Sequence, residues 1–262
     1  MAIVIQNFML VSAGKNTCQE AIDLSSKLAM GSGAKVSAVH FGDTKPDYQD
    51  AFQTFGLQLS QQTEAANHKN ISKIVSDTPP DLLIISTKSD GSNGGIVSSS
   101  DAIKIIDHFE RMVLTVPCNG KKFDLSNIIV PIDTSFETRQ KTPYALTMAK
   151  VFNSTLHVVG VSNDTGKDAE VAVKNYSRQV SNHIEEKGFR CKLDMRLGGN
   201  PTEQIIQYAK EHNAGMIIIM TEQETGFVNL FKGKYSEQMI KNSPIPVLSI
   251  HPKDLVVSEA RL

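Results

Sequence analysis

The amino-acid sequence repeats itself at a distance of about half its length. A shift of 120 residues places Asn7–Ala13 on Asn127–Asp133 without a gap. A shift of 134 residues places Leu82–Thr87 on Met216–Thr221. In both registers an apolar, strand-like segment aligns with another such segment. Two unrelated halves of a chain would rarely align in this way. The chain is therefore predicted to be an internal duplication, in which one α/β unit is written twice.

The duplication predicts two α/β domains. At 262 residues the chain is long enough for two domains of ~130 residues each. We predict a first domain over residues 1–118, a second over 125–252 and a tail over 253–262. In both copies strands alternate with helices, which indicates an open, Rossmann-like parallel sheet with right-handed crossovers.

The two copies differ in length between their second and fourth strands. Phe41 to Thr63 spans 23 residues, whereas Val161 to Leu197 spans 37. This 14-residue difference equals the change of register from 120 to 134. We therefore expect a truncated second helix and a short or missing third strand in the first copy.

The composition is typical of a soluble globular protein. Hydrophobic residues make up 40% of the chain, charged residues 21%, and the net charge is −1, so no surface for nucleic acid or an anionic membrane is expected. No apolar run approaches the ~20 residues of a membrane span, and no signal peptide is recognised.

The three cysteines, Cys18, Cys118 and Cys191, are scattered and odd in number. They favour a reducing compartment over a disulfide framework, so we predict a cytoplasmic protein. No zinc-like spacing exists among them and the seven histidines, so no metal site is predicted.

The second copy gives the clearer pattern of elements. Ile128–Ile132 is a short apolar run, as expected of a buried parallel strand. A helix follows over about 137–152, and its true start is expected next to Pro143, because proline favours the first helical position. Lys167–Lys187 predicts a long surface helix, and Phe189–Leu197 alternates apolar and polar residues like a half-buried edge strand.

Candidate site residues are expected at the carboxyl ends of the strands, because ligands of open parallel sheets bind there. In the second copy this edge carries Asp133 after the first strand, Val161 at the second, and Gly198 and Gly199 after the third. The loop after the fourth strand contributes a further group: Met220, Thr221, Gly233, Lys234 and Tyr235.

These segments resemble the universal stress protein family over nearly the whole chain. The resemblance is carried by Asn127–Ser135, by Met216–Ile219, and by Gly233–Ile240 followed by Pro244–Ile250. It implies a fold of the adenine-nucleotide alpha-hydrolase type and a non-catalytic role in stress response, with ATP or AMP as the ligand. ATP-binding members carry an aspartate at the first strand and a loop of the form G-x2-G-x9-G-[S/T] after the fourth. The glycines let backbone amides approach phosphate oxygens closely.

The loop of the second copy departs from this form. Counting back from Gly233 places the two early glycines at Met220 and Gln223, and counting from the strand places them at Thr221 and Glu224. Neither alignment finds a glycine, so close phosphate contacts are not expected.

Charged residues change the same loop further. Glu222 and Glu224 add negative charge where a triphosphate would lie, and Lys234 stands at the hydroxyl position. Lys234 and Lys232 could hold a phosphate as point charges, although solvated lysines at a loop edge are the simpler interpretation. Asp133 likewise has two interpretations, a helix cap or a contact to ribose or adenine.

The first copy has lost more of the pattern. Ala13 stands where the second copy has its aspartate, and Ser99 replaces the late glycine. Gly91 and Gly94 have the first required spacing, but no glycine follows at the required distance. A flexible Gly/Ser surface loop is the favoured interpretation. Any nucleotide site is therefore predicted in the second copy.

No motif for catalysis is found, and catalytic residues are predicted to be none. His40 and His157 fall on second strands, where a hydrogen-bonded core histidine is the ordinary explanation. The function predicted is a tandem universal stress protein that acts through a small-molecule ligand or protein contacts, with weak or absent adenine-nucleotide binding. The alternatives are an ATP-binding switch with slow hydrolysis in the second copy and an interaction scaffold without a nucleotide.

The last strands of the two copies are expected to pair. Val113–Val116 and Val247–Ile250 are short, apolar and rich in β-branched residues. Each ends a sheet whose edge would otherwise be exposed. We predict an intramolecular, antiparallel pseudo-dimer through these strands, with a homodimer as a further assembly.

Overall fold

A computed structural model describes residues 3–13, 18–41, 48–64, 68–77, 79–88, 97–109, 111–135, 137–221 and 235–251. The chain forms two compact units, one over Val4–Lys122 and one over Phe123–Leu262 together with Met1–Ile3. Among the described residues, no helix combines the length and the apolar character needed to cross a membrane.

The first unit alternates strands and helices along the chain. Its elements are β1 (Asn7–Ala13), α1 (Gln19–Ser32), β2 (Lys35–Phe41), α2 (Tyr48–Gln53), β3 (Leu59–Glu64), α3 (His68–Asp77), β4 (Leu82–Lys88), α4 (Ser99–His108) and β5 (Met112–Cys118). The strands are parallel and lie in the order β3-β2-β1-β4-β5.

The second unit repeats the arrangement. Its elements are β6 (Asn127–Ile132), a 3-10 helix (Glu137–Lys141), α5 (Thr142–Phe152), β7 (Thr155–Ser162), α6 (Lys167–Glu186), β8 (Cys191–Leu197), α7 (Pro201–Glu211), β9 (Met216–Met220), α8 (Tyr235–Asn242) and β10 (Val247–Ile250). Its parallel order is β8-β7-β6-β9-β10. Both units thus have the same strand order, which confirms the α/β fold predicted from the repeat.

The central strands hold the core because helices cover them on both faces. Leu82–Ile85 of β4 are fully buried, and Ile217 and Ile218 of β9 are equally buried. Continuous apolar strands of this kind are typical of parallel sheets, whose two faces are both shielded from water.

The truncation in the first copy falls where the register change predicts it. Helix α2 has six residues, whereas α6 at the same place in the second unit has 20. Strand β3 is kept with six residues and pairs with β2. The excision therefore removed most of the helix and left the strand.

The helix after β6 begins where proline allows it. A 3-10 helix covers Glu137–Lys141, and α5 then starts at Thr142 with Pro143 in its first turn. Pro143 lacks an N–H, which the first helical turn does not need for its hydrogen bonds. The predicted start is confirmed.

Strand β8 departs from the predicted alternation of burial. Leu193 is 42% exposed, whereas Arg196 on the polar series is covered: its guanidinium lies 5.2 Å from the ring centre of Tyr208 and bonds Glu211 at 2.6 Å. Helix α7 supplies both partners. Helix α7 thus packs on polar side chains of this edge strand. The alternation of apolar and polar residues in the sequence therefore does not match the pattern of buried and exposed side chains.

The cysteines contradict the expectation that no disulfide forms. Cys18 and Cys118 are bonded, with their Cα atoms 5.6 Å apart and 100 residues between them in sequence. Spacing along the chain could not reveal this pair, because the strand order brings the start of α1 beside the end of β5. Cys191 is a free cysteine.

Candidate functional site

The carboxyl end of β6 carries Asp133, the first predicted site residue. Its Oδ1 accepts hydrogen bonds from the Ser135 backbone N at 2.7 Å and from Ser135 Oγ at 2.6 Å. This Asx turn shapes the connection that leads to the 3-10 helix. From the described part of the chain, Oδ2 receives no hydrogen bond. One carboxylate oxygen thus holds the turn, and the other can accept a hydrogen bond from a ligand.

Lys141 is a site residue that sequence reasoning missed. Its side chain is only 3% exposed, and its Nζ donates a hydrogen bond to Thr138 Oγ1 at 3.0 Å. It forms no ion pair with a carboxylate within the described residues. Burial lowers the pKa of Lys141 to about 8, and the negative charge of Asp133 partly opposes that shift. A buried ammonium with spare N–H donors suits an anionic group.

A sequence signal for Lys141 did exist. Tyr144, Ala145 and Met148 follow it at spacings of three, four and seven residues, and all three are fully buried. Lys141 continues this apolar face one turn towards the amino terminus. A lysine placed on a buried face is rare without a function or a partner.

Tyr235, another predicted site residue, begins α8. Burial raises the pKa of its hydroxyl, and the negative charge of Asp133 raises it further. Asp133 therefore interacts electrostatically with both Lys141 and Tyr235. The structure brings these three side chains together at the carboxyl end of β6.

The ends of β7 and β8 contribute backbone and a helix terminus. Gly198 and Gly199 both have left-handed backbone, with φ of +80° and +73°, which glycine adopts at little cost. The Gly198 N–H donates to Ser162 O at 2.7 Å. Val161 is 2% exposed, so a ligand could reach its backbone but not its side chain.

Helix α7 follows these glycines and presents its amino terminus at the same edge of the sheet. Asn200 caps the helix by accepting a hydrogen bond from the Thr202 N–H at 2.9 Å. The Thr202 hydroxyl is buried and has no hydrogen-bond partner within the described ranges. Amides and a hydroxyl at a helix start favour negative charge on a ligand.

The carboxyl end of β9 is hydrogen-bonded to β10. Thr221 donates its backbone N–H and its hydroxyl to Ile250 O, at 2.8 and 3.2 Å, and Met220 is the last residue of β9. Gly233 and Lys234 lie outside the described residues, as do Lys232 and the two glutamates of the predicted loop.

The corresponding edge of the first unit has different chemistry. Strand β1 ends at Ala13, so the carboxylate is missing. Ser98, from the segment that follows the Gly/Ser loop, caps α4: its Oγ accepts from the Asp101 N–H at 3.1 Å and donates to Asp101 Oδ2 at 2.8 Å. This capping role explains the serine-rich segment without a phosphate. Gly91 and Gly94 lie outside the described residues.

The strand histidines are held as core residues. His157 is 1% exposed, and its two ring nitrogens lie 3.1 Å from Tyr208 Oη and 3.0 Å from Asn127 Oδ1. His40 is also buried, with its Nδ1 3.4 Å from Tyr48 Oη. The prediction of hydrogen-bonded core histidines is confirmed at both positions.

Comparison with known proteins identifies the second half of the chain. Residues 125–251 match the model of the universal stress protein family. A universal stress protein of Methanocaldococcus jannaschii is 28% identical over 146 residues, which cover 50% of this chain and 85% of that protein.

Solved structures share the fold along nearly the whole chain. A universal stress protein from Archaeoglobus fulgidus has a TM-score of 0.63 at 15% identity, covering 92% of this chain and 97% of the other. A protein of unknown function from Pseudomonas aeruginosa has a TM-score of 0.71 at 17% identity, covering 98% and 96%. At these identities the likeness concerns the fold, and it includes both halves of the chain.

Proposed function

We propose that this chain is a tandem, non-catalytic universal stress protein that acts in the cytoplasm through ligand binding, because residues 125–251 match the model of that family. The second unit carries the ligand site, at the carboxyl ends of β6, β7, β8 and β9. Its ligand is an adenine nucleotide, bound weakly.

The observation that carries this proposal is the group formed by Asp133, Lys141 and Tyr235. Asp133 keeps one carboxylate oxygen available for a ribose hydroxyl or an adenine amino group. The ammonium of Lys141 is buried nearby and uses one hydrogen bond, to Thr138. A site with one acceptor and one buried cation suits a ligand that has both a sugar-like donor and an anionic group.

Weak affinity follows from the sequence after β9. Backbone amides of the loop cannot approach the phosphates of the ligand closely where Thr221 or Glu224 replaces a glycine. Losing two or three phosphate hydrogen bonds of ~1.5–3 kcal/mol each moves a micromolar site to millimolar or weaker. We therefore expect ATP to bind little better than AMP, since the additional phosphates find few partners.

Calorimetric titration of AMP, ADP and ATP tests this proposal. The parent protein should bind all three with millimolar dissociation constants. A variant with Thr221→Gly, Glu224→Gly and Lys234→Ser restores the family loop, and it should bind ATP at least about a hundred times more tightly. Asp133→Ala in that background should abolish the isotherm, whereas Gly91→Ala, a matched change in the first copy, should leave it intact.

Three outcomes separate the alternatives. Micromolar ATP binding by the parent would show that the loop argument is wrong and that Lys232 and Lys234 hold the phosphates, as expected of an ATP-binding switch. No binding by either protein would favour a scaffold without a nucleotide. An unaltered isotherm in Asp133→Ala would show that the site lies elsewhere.

A further inference from the structure

Three side chains of metal-binding type converge in the first unit. The Sγ atoms of Cys18 and Cys118 and a carboxylate oxygen of Glu20 all lie within 4.8 Å of one another. Both cysteines are buried, at 5% and 8% exposure. We name Cys18, Glu20 and Cys118 the Cys–Glu cluster.

The Cys–Glu cluster is assembled from two separate elements. Cys18 is the N-cap residue of α1, its side chain makes no capping hydrogen bond, and Glu20 lies in the first turn of the same helix. Cys118 is the last residue of β5. The start of a helix favours negative charge, which suits both a thiolate and a carboxylate.

Glu20 is held in place by the chain beyond β5. One of its carboxylate oxygens accepts a hydrogen bond from the Gly120 backbone N–H. Hydrogen bonds of this kind orient ligands around metal ions and strengthen binding. The other oxygen is thereby directed at the sulfur of Cys18, 3.5 Å away.

The disulfide offers the second carboxylate oxygen of Glu20 no hydrogen bond. In the disulfide, the sulfur of Cys18 carries no proton, so the 3.5 Å contact sets an acceptor oxygen against sulfur lone pairs. Neither group has a proton to share in that contact. A cation among the three atoms would convert it into coordinate bonds to both groups.

We propose that the reduced chain binds one zinc ion at the Cys–Glu cluster, and that oxidation of the two cysteines expels it. A dithiol delivers two electrons and two protons to the Cys18–Cys118 bond and is itself oxidised to a disulfide. A phosphine delivers the two electrons and becomes a phosphine oxide with an oxygen atom from water, which also supplies the two protons. Either reductant yields two thiols. Zinc then displaces the two thiol protons and binds two thiolates and the Glu20 carboxylate. An oxidant such as a small disulfide takes two electrons from the thiolates and is cleaved to two thiols, the bond between Cys18 and Cys118 forms again, and zinc is released.

The ligand set favours zinc over other common cations. Thiolates select soft or borderline metals, whereas calcium takes six to eight oxygen ligands, and magnesium takes oxygen ligands and water in an octahedral shell. Two sulfurs and one oxygen leave one position of a tetrahedral zinc ion open to water. A reducing cytoplasm keeps such thiols in the form that binds metal.

The Cys–Glu cluster is independent of the proposed nucleotide site. In the register of 120, Cys18 and Glu20 correspond to Thr138 and Gln140 in the second copy. The second copy therefore cannot form the same site, and failure of either proposal leaves the other standing.

Cobalt and zinc titration of the reduced protein tests the proposal. The chain is reduced with a phosphine under argon and desalted, and Co²⁺ is added as a spectroscopic probe. One equivalent should bind and give a thiolate-to-cobalt charge-transfer band, which one equivalent of Zn²⁺ removes. The disulfide form should give no band, and oxidised glutathione should release one zinc ion per reduced chain to a chromogenic chelator.

Variants separate this site from an unrelated thiol. Cys191→Ser is the matched control and should keep the full band, whereas Cys118→Ser should lose it. Glu20→Gln keeps both cysteines and the disulfide, so it tests the site without removing the crosslink. Its zinc affinity should fall at least about tenfold. No band in the reduced parent, an unchanged affinity in Glu20→Gln, or loss of the band in Cys191→Ser would overturn the proposal.

Discussion

The carboxyl ends of the two sheets differ far more than the sheets themselves. Both units order their strands in the same way, yet the same register positions carry Ala21 in one and Lys141 in the other. Where the first unit has a disulfide at Cys18, the second has Thr138, which receives the hydrogen bond of a buried lysine. The fold needs only apolar strands and helix faces, so the polar residues at this edge were free to diverge. A duplicated chain can thus carry two different sites on one architecture.

At the opposite edge, where the strands begin, both units keep the same backbone hydrogen bond although the side chains differ. Asp81 and Gly215 occupy one position in the register of 134. Each donates its N–H to the first residue of a neighbouring strand, Asn7 O or Asn127 O, at 2.9 Å. The Asp81 carboxylate also accepts the N–H groups of Gln6 and Asn7. Around Gly215 there is no room for any side chain.

Gly215→Ala should have the largest effect on stability. A Cβ atom at Gly215 would lie 2.0 Å from the backbone oxygen of Asp124, and backbone cannot move aside as a flexible side chain can. We expect a loss of about 3 kcal/mol or more in the free energy of unfolding, measured by urea denaturation. Asp81→Ala is the matched control and should cost only about 1–2 kcal/mol, from lost hydrogen bonds. Equal losses in the two variants would contradict this comparison.

Acidic pH should lower the free energy of unfolding of the second unit, because His157 is buried. Burial, together with the nearby Lys192 and His212, lowers the pKa of His157 to about 4 against the opposing effect of Asp194. The unfolded chain takes up a proton near pH 6.5 and the folded chain only near pH 4, so stability is full above pH 6.5 and falls as the pH drops through this window. The loss should reach about 2–3 kcal/mol.

The variant His157→Gln tests the source of this acid sensitivity. It should flatten the dependence of the unfolding free energy on pH between 6.5 and 4, although it also lowers stability at neutral pH. His183→Gln, on the exposed side of α6, is the control and should leave the profile unchanged. The first copy has Ser37 at the register position of His157. An equally steep profile in His157→Gln would show that other groups cause the acid sensitivity.

Lys141→Met should stabilise the protein by about 2 kcal/mol at pH 7, a smaller effect of opposite sign. The pKa of Lys141 falls to about 8 on folding, so at neutral pH the folded protein buries a charged ammonium group, which lowers its stability. That cost is full below pH 8 and disappears as the pH rises towards 10.5, so the gain should shrink over this range. Lys150→Met, an exposed change on α5, should change stability little at any pH. Destabilisation by Lys141→Met at pH 7 would contradict a buried charge.

The fold could be read from the sequence because its signals are local. Apolar runs mark the strands, Pro143 marks a helix start, and Gly188 with φ of +80° follows the end of α6. The disulfide could not be predicted, because two cysteines that are 100 residues apart in sequence meet only through the order of the strands in the sheet. Lys141 is a different case, because its helical spacing from buried apolar residues is a local signal, but strand ends and glycines do not point to it. The exposure of Leu193 could not be predicted either, because the helix packing in three dimensions decides which side chains of an edge strand are buried.

Hydrogen exchange with and without saturating AMP tests most directly the claim that the second unit alone holds the ligand site. Amide exchange is read in peptides from both units, so the two carboxyl edges are compared in one sample. Added protection should be confined to the second unit, in peptides that cover Asp133–Lys141, Gly198–Thr202, and the end of β9 or the start of α8. Protection at the corresponding edge of the first unit, around Cys18 or at the end of β4, would contradict the account.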